Sequence, residues 1–172
     1  MHIEENGNIT PCCVMSSNMY FIANGIKNYR QSNKLKDIRE SFLKNKKHPN
    51  CQFCWDAERN GVITHRDSSK PDLSKLRKIH LRFNNICNFK CRMCNPKFSS
   101  TWAEEIKIHK YFVHDYKLEK DIFESTEDLY KLILDNKDTL KQINISGGEP
   151  LITKINYRFL KFLIDNNLTH IG

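Results

Sequence analysis

The chain has 172 residues, enough for one ordinary core or two small ones, and its 39% hydrophobic and 28% charged residues argue against a disordered chain. No run approaches the ~18 apolar residues of a membrane span, and "MHIEENGNIT" lacks the basic and apolar segments of a signal peptide, so a cytoplasmic chain without a membrane partner is expected. The net charge of +8 comes from scattered lysines whose one local run, "KNKK" at Lys44 to Lys47, reads as a solvated helix end, so nucleic acid is not the expected partner.

The first predicted element is a hairpin. "HIEENGNITPCC" reads as two short strands around Asn6-Gly7, the dipeptide favoured where both central turn residues need positive φ, and it delivers Cys12 and Cys13 at its end. "SNKLKDIRESFLKNKK" sets Leu35, Ile38, Phe42 and Leu43 on one helical face, with Pro49 as the stop. "NCQFCWDAERNG" brings Cys51 and Cys54 into a tight turn before a short helix closed by Gly61. Residues 62–75 are polar, carry Pro71 and read as a linker; it divides an amino-terminal unit, 1–70, from a second unit, 71–172.

The second unit opens with a strand over Lys78 to Phe83, followed by a cysteine loop. "SSTWAEEIKIHKYFV" predicts a helix capped by Ser99 or Ser100, with Glu104 and Glu105 in its early turns. A further helix, capped near Ser125 or Thr126, runs to about Asp135. "QINISGGEP" then alternates Ile143 and Ile145 in a short strand that ends in a Gly-Gly turn. "INYRFLKFLIDNN" is an amphipathic helix, and "THI" reads as the start of a third strand. This is the grammar of parallel βα units in an α/β fold, whose functional loops lie at the carboxyl ends of strands. The cysteine loop and "SGGEP" both fall at such ends.

Seven cysteines in a chain without an export signal point to metal rather than to disulfides. Cys87, Cys91 and Cys94 have the i, i+4, i+7 spacing of a buried helical stripe, yet Asn84, Asn85, Asn88, Asn95 and Pro96 are poor helix formers. Structural zinc wants four ligands, and this loop offers three; Cys12, Cys13, Cys51 and Cys54 make a four-thiol set by themselves. An iron-sulfur cubane accounts for three thiolates differently, because its fourth iron stays open for another ligand.

"CNFKCRMC" resembles the Cys-x3-Cys-x2-Cys motif of radical S-adenosylmethionine (radical SAM) enzymes, and "SGGEP" resembles their Gly-Gly-Glu-Pro motif. The resemblance implies a [4Fe-4S] cluster on Cys87, Cys91 and Cys94, with S-adenosylmethionine on the open iron. It makes Gly147, Gly148, Glu149 and Pro150 the seat of the methionine amine. That role suits the residue types: an iron-bound amine still needs acceptors, and a bent Gly-Gly backbone and a carboxylate supply them. Met93 stands where the family has an aromatic residue against adenine, a contact that a thioether also makes. The implied activity is reductive cleavage of S-adenosylmethionine to a 5'-deoxyadenosyl radical that takes hydrogen from a substrate. It requires an electron donor, and the substrate class expected is a peptide or protein.

The implied fold is a partial (β/α)6 TIM-like barrel, of which this chain would hold the first two βα units and the start of a third, as a fragment. The preceding small, cysteine-rich α+β module resembles the twitch module, a shortened relative of SPASM. That likeness implies an auxiliary iron-sulfur cluster on Cys12, Cys13, Cys51 and Cys54, with a zinc ribbon on the same residues as the alternative. The rival from another class is a zinc-holding module that grips nucleic acid or a partner protein without catalysis.

Overall fold

A computed structural model describes residues 1–4, 8–15, 26–64, 75–109 and 127–172. β1 (His2–Ile3) and β2 (Ile9–Thr10) pair antiparallel, with His2 opposite Thr10 and Ile3 opposite Ile9. The hairpin strands therefore form as the sequence predicts, while the Asn6-Gly7 turn lies outside the described residues. β3 (Lys78–Arg82) runs parallel to β1, with His80 beside His2, and β4 (Gln142–Ser146) runs parallel along its other side. The order β2-β1-β3-β4 makes an open, mixed four-stranded sheet among the described residues.

Parallel neighbours need crossovers, and helices supply them. Between β2 and β3 the chain forms α1 (Ile26–Gln31), α2 (Asn33–Leu43) and α3 (Gln52–Arg59). Between β3 and β4 it forms α4 (Ser100–His109) and α5 (Glu127–Asp135), and after β4 it forms α6 (Lys154–Asp165). Ser125 and Thr126, the expected cap of α5, lie outside the described residues.

Period-two alternation sorts the sheet into two faces. Ile3, Ile79, Leu81 and Phe83 join one buried cluster with Tyr29, Leu35, Ile38, Leu129, Ile133 and Phe159 from the helices. The Phe83 and Phe159 rings lie 5.4 Å apart, and Tyr130 stacks on Phe162 at 3.9 Å. Residues from both sides of position 70 thus share one sheet and one core. The opposite face carries His2, Glu4, His80, Arg82 and Ser146, all polar.

Three helices stop at residues in the left-handed region, where asparagine and glycine are tolerated best. After α2, Asn45 has φ 52°; its N–H bonds Phe42 O, and the N–H of Lys46 bonds Ser41 O. α2 therefore ends at Leu43, well before Pro49, which instead opens a 3-10 turn over Pro49–Cys51. Leu43 is 75% exposed, because eight residues beyond Leu35 it has rotated about 80° off the buried face. Gly61, φ 76°, closes α3 in the same way, as the sequence predicts, but Cys54 sits inside that helix rather than in the turn before it. Asn167, φ 55°, ends α6. The strand expected at "THI" is a turn; beyond it, Gly172 donates to Lys141 O and accepts from Ile143 N–H, the bond pair of a parallel ladder on the edge of β4.

Candidate metal and cofactor site

The loop from β3 to α4 spans Phe83 to Ser99, and the first turn of α4 holds its backbone in place. Ser99 is the cap: its Oγ accepts from the N–H of Trp102 at 3.4 Å and donates to Phe89 O at 3.0 Å. Ser100 Oγ accepts from Cys87 N–H at 3.1 Å and lies 3.2 Å from Cys87 O, Thr101 Oγ1 donates to Phe89 O at 2.8 Å, and Trp102 Nε1–H donates to Cys91 O at 3.1 Å. The sequence "SSTW" therefore does more than start a helix. Its four side chains fix the carbonyls and amides that surround two of the three cysteines.

The loop is fastened from β4 as well. Gly148 N–H donates to Phe98 O at 3.0 Å, and Glu149 N–H donates to Ile86 O at 2.8 Å. The fit requires glycine. Gly147 has φ 86° and Gly148 φ 58°, and a Cβ would stand 2.1 Å from Arg82 Cγ at the first and 2.1 Å from Ile86 O at the second. The two motifs, about fifty residues apart in sequence, are thus in direct backbone contact. Glu149 accepts from Leu151 N–H at 3.1 Å and caps the 3-10 turn over Pro150–Ile152, so Pro150 fixes the exit toward α6.

Cys91 is exposed, and Cys87 and Cys94 are half-buried. Cys94 N–H closes a tight turn on Cys91 O at 2.9 Å, and Phe89 N–H points at Cys87 Sγ at 3.4 Å. A backbone N–H donor suits a metal-bound sulfur, and three accessible thiols on a loop fixed independently of them fit an iron-sulfur cluster in kind. Among the described residues, however, no three Cys, His, Asp or Glu side chains are gathered as a preformed metal site. Met93 lies in the turn between Cys91 and Cys94 and is 95% exposed.

The amino-terminal cysteines are spread over three places in the chain. Cys12 and Cys13 follow β2, Cys51 ends the 3-10 turn, and Cys54 is buried in α3. Burial pushes the Cys12 thiol up; a hydrogen bond from the Val14 backbone opposes this, and the nearby Cys13 and Cys54 thiols reinforce it. The fold thus brings Cys12 within electrostatic reach of Cys54.

One group of residues escaped the sequence reading. On the polar sheet face, Arg82 Nη2 lies 3.5 Å from Glu4 Oε1 and 3.4 Å from His2 Nε2, while His80 Nε2 and Ser146 Oγ are 2.6 Å apart. The His2 and His80 rings lie 4.7 Å apart, and the Arg82 guanidinium stands 4.4 Å over the Phe98 ring. Burial first, then the neighbouring His80 and Arg82, lowers His2 to about 3, so it is neutral at physiological pH. The signal was present in "MHIE" and "KIHLRF", where polar residues alternate with core residues. It was missed because β1 is only two residues long.

A GTP 3',8-cyclase of Aliarcobacter butzleri (strain RM4018) is 30% identical to this chain over 92 residues, 53% of the chain and 24% of the relative. The chain therefore spans about a quarter of the length of the curated relative it matches. That relative is a radical SAM enzyme, and the likeness supports distant kinship at the level of the superfamily. No family model and no solved structure matches the chain. No helix among the described residues is long and apolar enough to cross a membrane.

Proposed function

We propose that this chain belongs to a radical SAM enzyme, with residues 71–172 as the first part of a partial (β/α)6 barrel and residues 1–70 as a twitch-like unit. The observation that carries the reading is the seating of Gly147-Gly148-Glu149 on the backbone of the cysteine loop. That contact gives a motif pair recognised in sequence a shared place at the ends of two parallel strands, β3 and β4. Distant kinship to a radical SAM enzyme supports the same reading.

In this reading Cys87, Cys91 and Cys94 hold a [4Fe-4S] cluster, and the Gly147 to Pro150 segment accepts hydrogen bonds from the amine of S-adenosylmethionine. When bound, these groups supply one-electron cleavage of the sulfonium to methionine and a 5'-deoxyadenosyl radical, the electron coming from an external donor. The protein's own part is positional. The "SSTW" turn keeps the Cys87 and Cys91 backbone rigid, and the Gly-Gly contact fixes the distance between the thiols and the acceptors of the second motif. Cys12, Cys13, Cys51 and Cys54 are assigned to an auxiliary iron-sulfur cluster, with zinc as the alternative. A peptide or protein is the proposed substrate class, by analogy with twitch-bearing and SPASM-bearing proteins.

The test is anaerobic reconstitution of the full-length protein with iron and sulfide, then reduction in the presence of S-adenosylmethionine. The reading expects 5'-deoxyadenosine from the wild type and none from Cys91→Ala. A colourless protein with stoichiometric zinc, or equal yields from both, counts against it.

A further inference from the structure

His48 is 6% exposed and stands three residues before Cys51, between the end of α2 and the 3-10 turn over Pro49–Cys51. Buried this close to a thiol, it has the position of a metal ligand. Its bonds say otherwise. Nδ1 accepts from the N–H of Asn50 at 3.2 Å, so that nitrogen carries no proton and its lone pair is taken. Nε2 lies 3.3 Å from Oδ2 of Asp37, on α2, and with Nδ1 bare it is the nitrogen that carries the proton and donates. A histidine that ligates a metal usually donates one N–H to a carboxylate or carbonyl and offers its other nitrogen to the ion. Here the backbone of the turn occupies the place of the ion.

The main chain of His48 serves the same turn. Its φ of −79° and ψ of 131° are the extended values of a cap residue, and Pro49 follows at the first position of the turn. His48 O accepts from Cys51 N–H at 3.0 Å and from Trp55 Nε1–H at 3.2 Å. Trp55 follows Cys54 directly in α3, and Lys47 Nζ stands 5.5 Å from the centre of its ring. One residue thus binds the amide before Cys51, the amide of Cys51 itself and the neighbour of Cys54, while Asp37 ties its ring to α2. Asn50, Cys51 and Trp55 have further interactions as well, so loss of the ring should loosen the turn without unfolding it.

We propose that His48 is a positioning residue for the amino-terminal thiols: its ring caps the turn that presents Cys51 and does not ligate, which leaves the set of Cys12, Cys13, Cys51 and Cys54 all-thiolate. The consequence for metal rests on the proposed reading of those cysteines as a cluster or zinc site, whereas the cap does not. Two variants separate capping from ligation. His48→Ala removes the acceptor; His48→Asn keeps one, since asparagine is among the best capping residues, but lacks the imidazole. In metal-free, full-length protein, His48→Ala is expected to speed hydrogen exchange at the Asn50 amide by about tenfold, the equivalent of one hydrogen bond, and His48→Asn to stay within about threefold of the wild type. Cobalt(II) is the probe for the thiols, added to protein that carries Cys87→Ala, Cys91→Ala and Cys94→Ala so that the cysteine loop does not compete. In that background His48→Ala should bind it roughly tenfold more weakly, the usual cost of losing a residue that orients a ligand. His48→Asn should restore the affinity, with the thiolate charge-transfer and d–d bands unmoved in both.

Unchanged exchange at Asn50 in His48→Ala overturns the proposal. So do cobalt bands that shift in His48→Asn, or an affinity that falls equally in both variants, because an amide cannot replace an imidazole ligand. Protein that binds no cobalt, with the exchange pattern as expected, would remove the metal reading of these cysteines and leave the capping role standing.

Discussion

The chain assembles its two groups of cysteines in opposite ways. Cys87, Cys91 and Cys94 lie within eight residues of one loop, and what is held is the loop's backbone: by side chains of the Ser99 to Trp102 turn on one side and by the Gly148 and Glu149 amides on the other. Cys12, Cys13, Cys51 and Cys54 come from a hairpin end, a 3-10 turn and the interior of α3. The first group is accessible and its spacing is set by local sequence. In the second, Cys54 is buried, and its approach to Cys12 depends on packing between elements. A local site is legible as a motif, whereas a site built from several elements can be recognised only after the fold is known.

The sharpest break of this comparison is chemical. Cys91→Ala is expected to abolish the response of the reduced protein to S-adenosylmethionine while the amino-terminal group keeps its metal; Cys54→Ala is expected to do the reverse, with iron and zinc analysis of both variants as the check. If one substitution removes all the metal, the two groups form a single site and the comparison fails.

Next in size is the Gly-Gly contact. Gly148→Ala combines φ 58° with a Cβ placed 2.1 Å from Ile86 O, so its loss on denaturant unfolding should exceed about 3 kcal/mol. Gly61→Ala, at φ 76° but with nothing within 4 Å, should cost only about 1 kcal/mol. Equal costs would mean that conformation alone, and not the docking of the two motifs, makes glycine necessary at 148.

The polar face yields a pH dependence with a definite sign. His2 is neutral in the fold down to about pH 3 but protonates near 6.5 when unfolded, so its contribution is complete above pH 6.5 and declines as the pH falls toward 3. Unfolding free energy measured across that window should slope by up to roughly 1.4 kcal/mol per pH unit from this group, and His2→Asn should flatten the slope. The smallest effect is Trp102→Phe, which removes one hydrogen bond to Cys91 O and should cost about 1 kcal/mol in thermal unfolding.

Much of the fold could be read ahead of the structure where local chemistry decides. Lys78–Arg82, the helix from Ser100 and the Gly61 stop follow from alternation, capping and the left-handed region. The misreadings arose where a competing local signal was available. Pro49 looked like the end of α2, but Asn45 had already stopped it; Leu43 looked buried, but it closes the helix off the apolar face. The parallel pairing of β1 with β3 was not legible, because a two-residue strand carries too little pattern to name its partner. With that pairing unknown, the contact of Glu4 and His2 with Arg82 was invisible too.

The central claim is that the cysteine loop and the Gly-Gly segment together form one cofactor site. The most direct measurement is the electron paramagnetic resonance spectrum of the anaerobically reconstituted, reduced protein, recorded with and without S-adenosylmethionine. The account predicts a cluster signal that changes when the cofactor is added, and no such change in Cys94→Ala. A signal indifferent to S-adenosylmethionine in the wild type, or protein that takes up zinc and no iron, would contradict it.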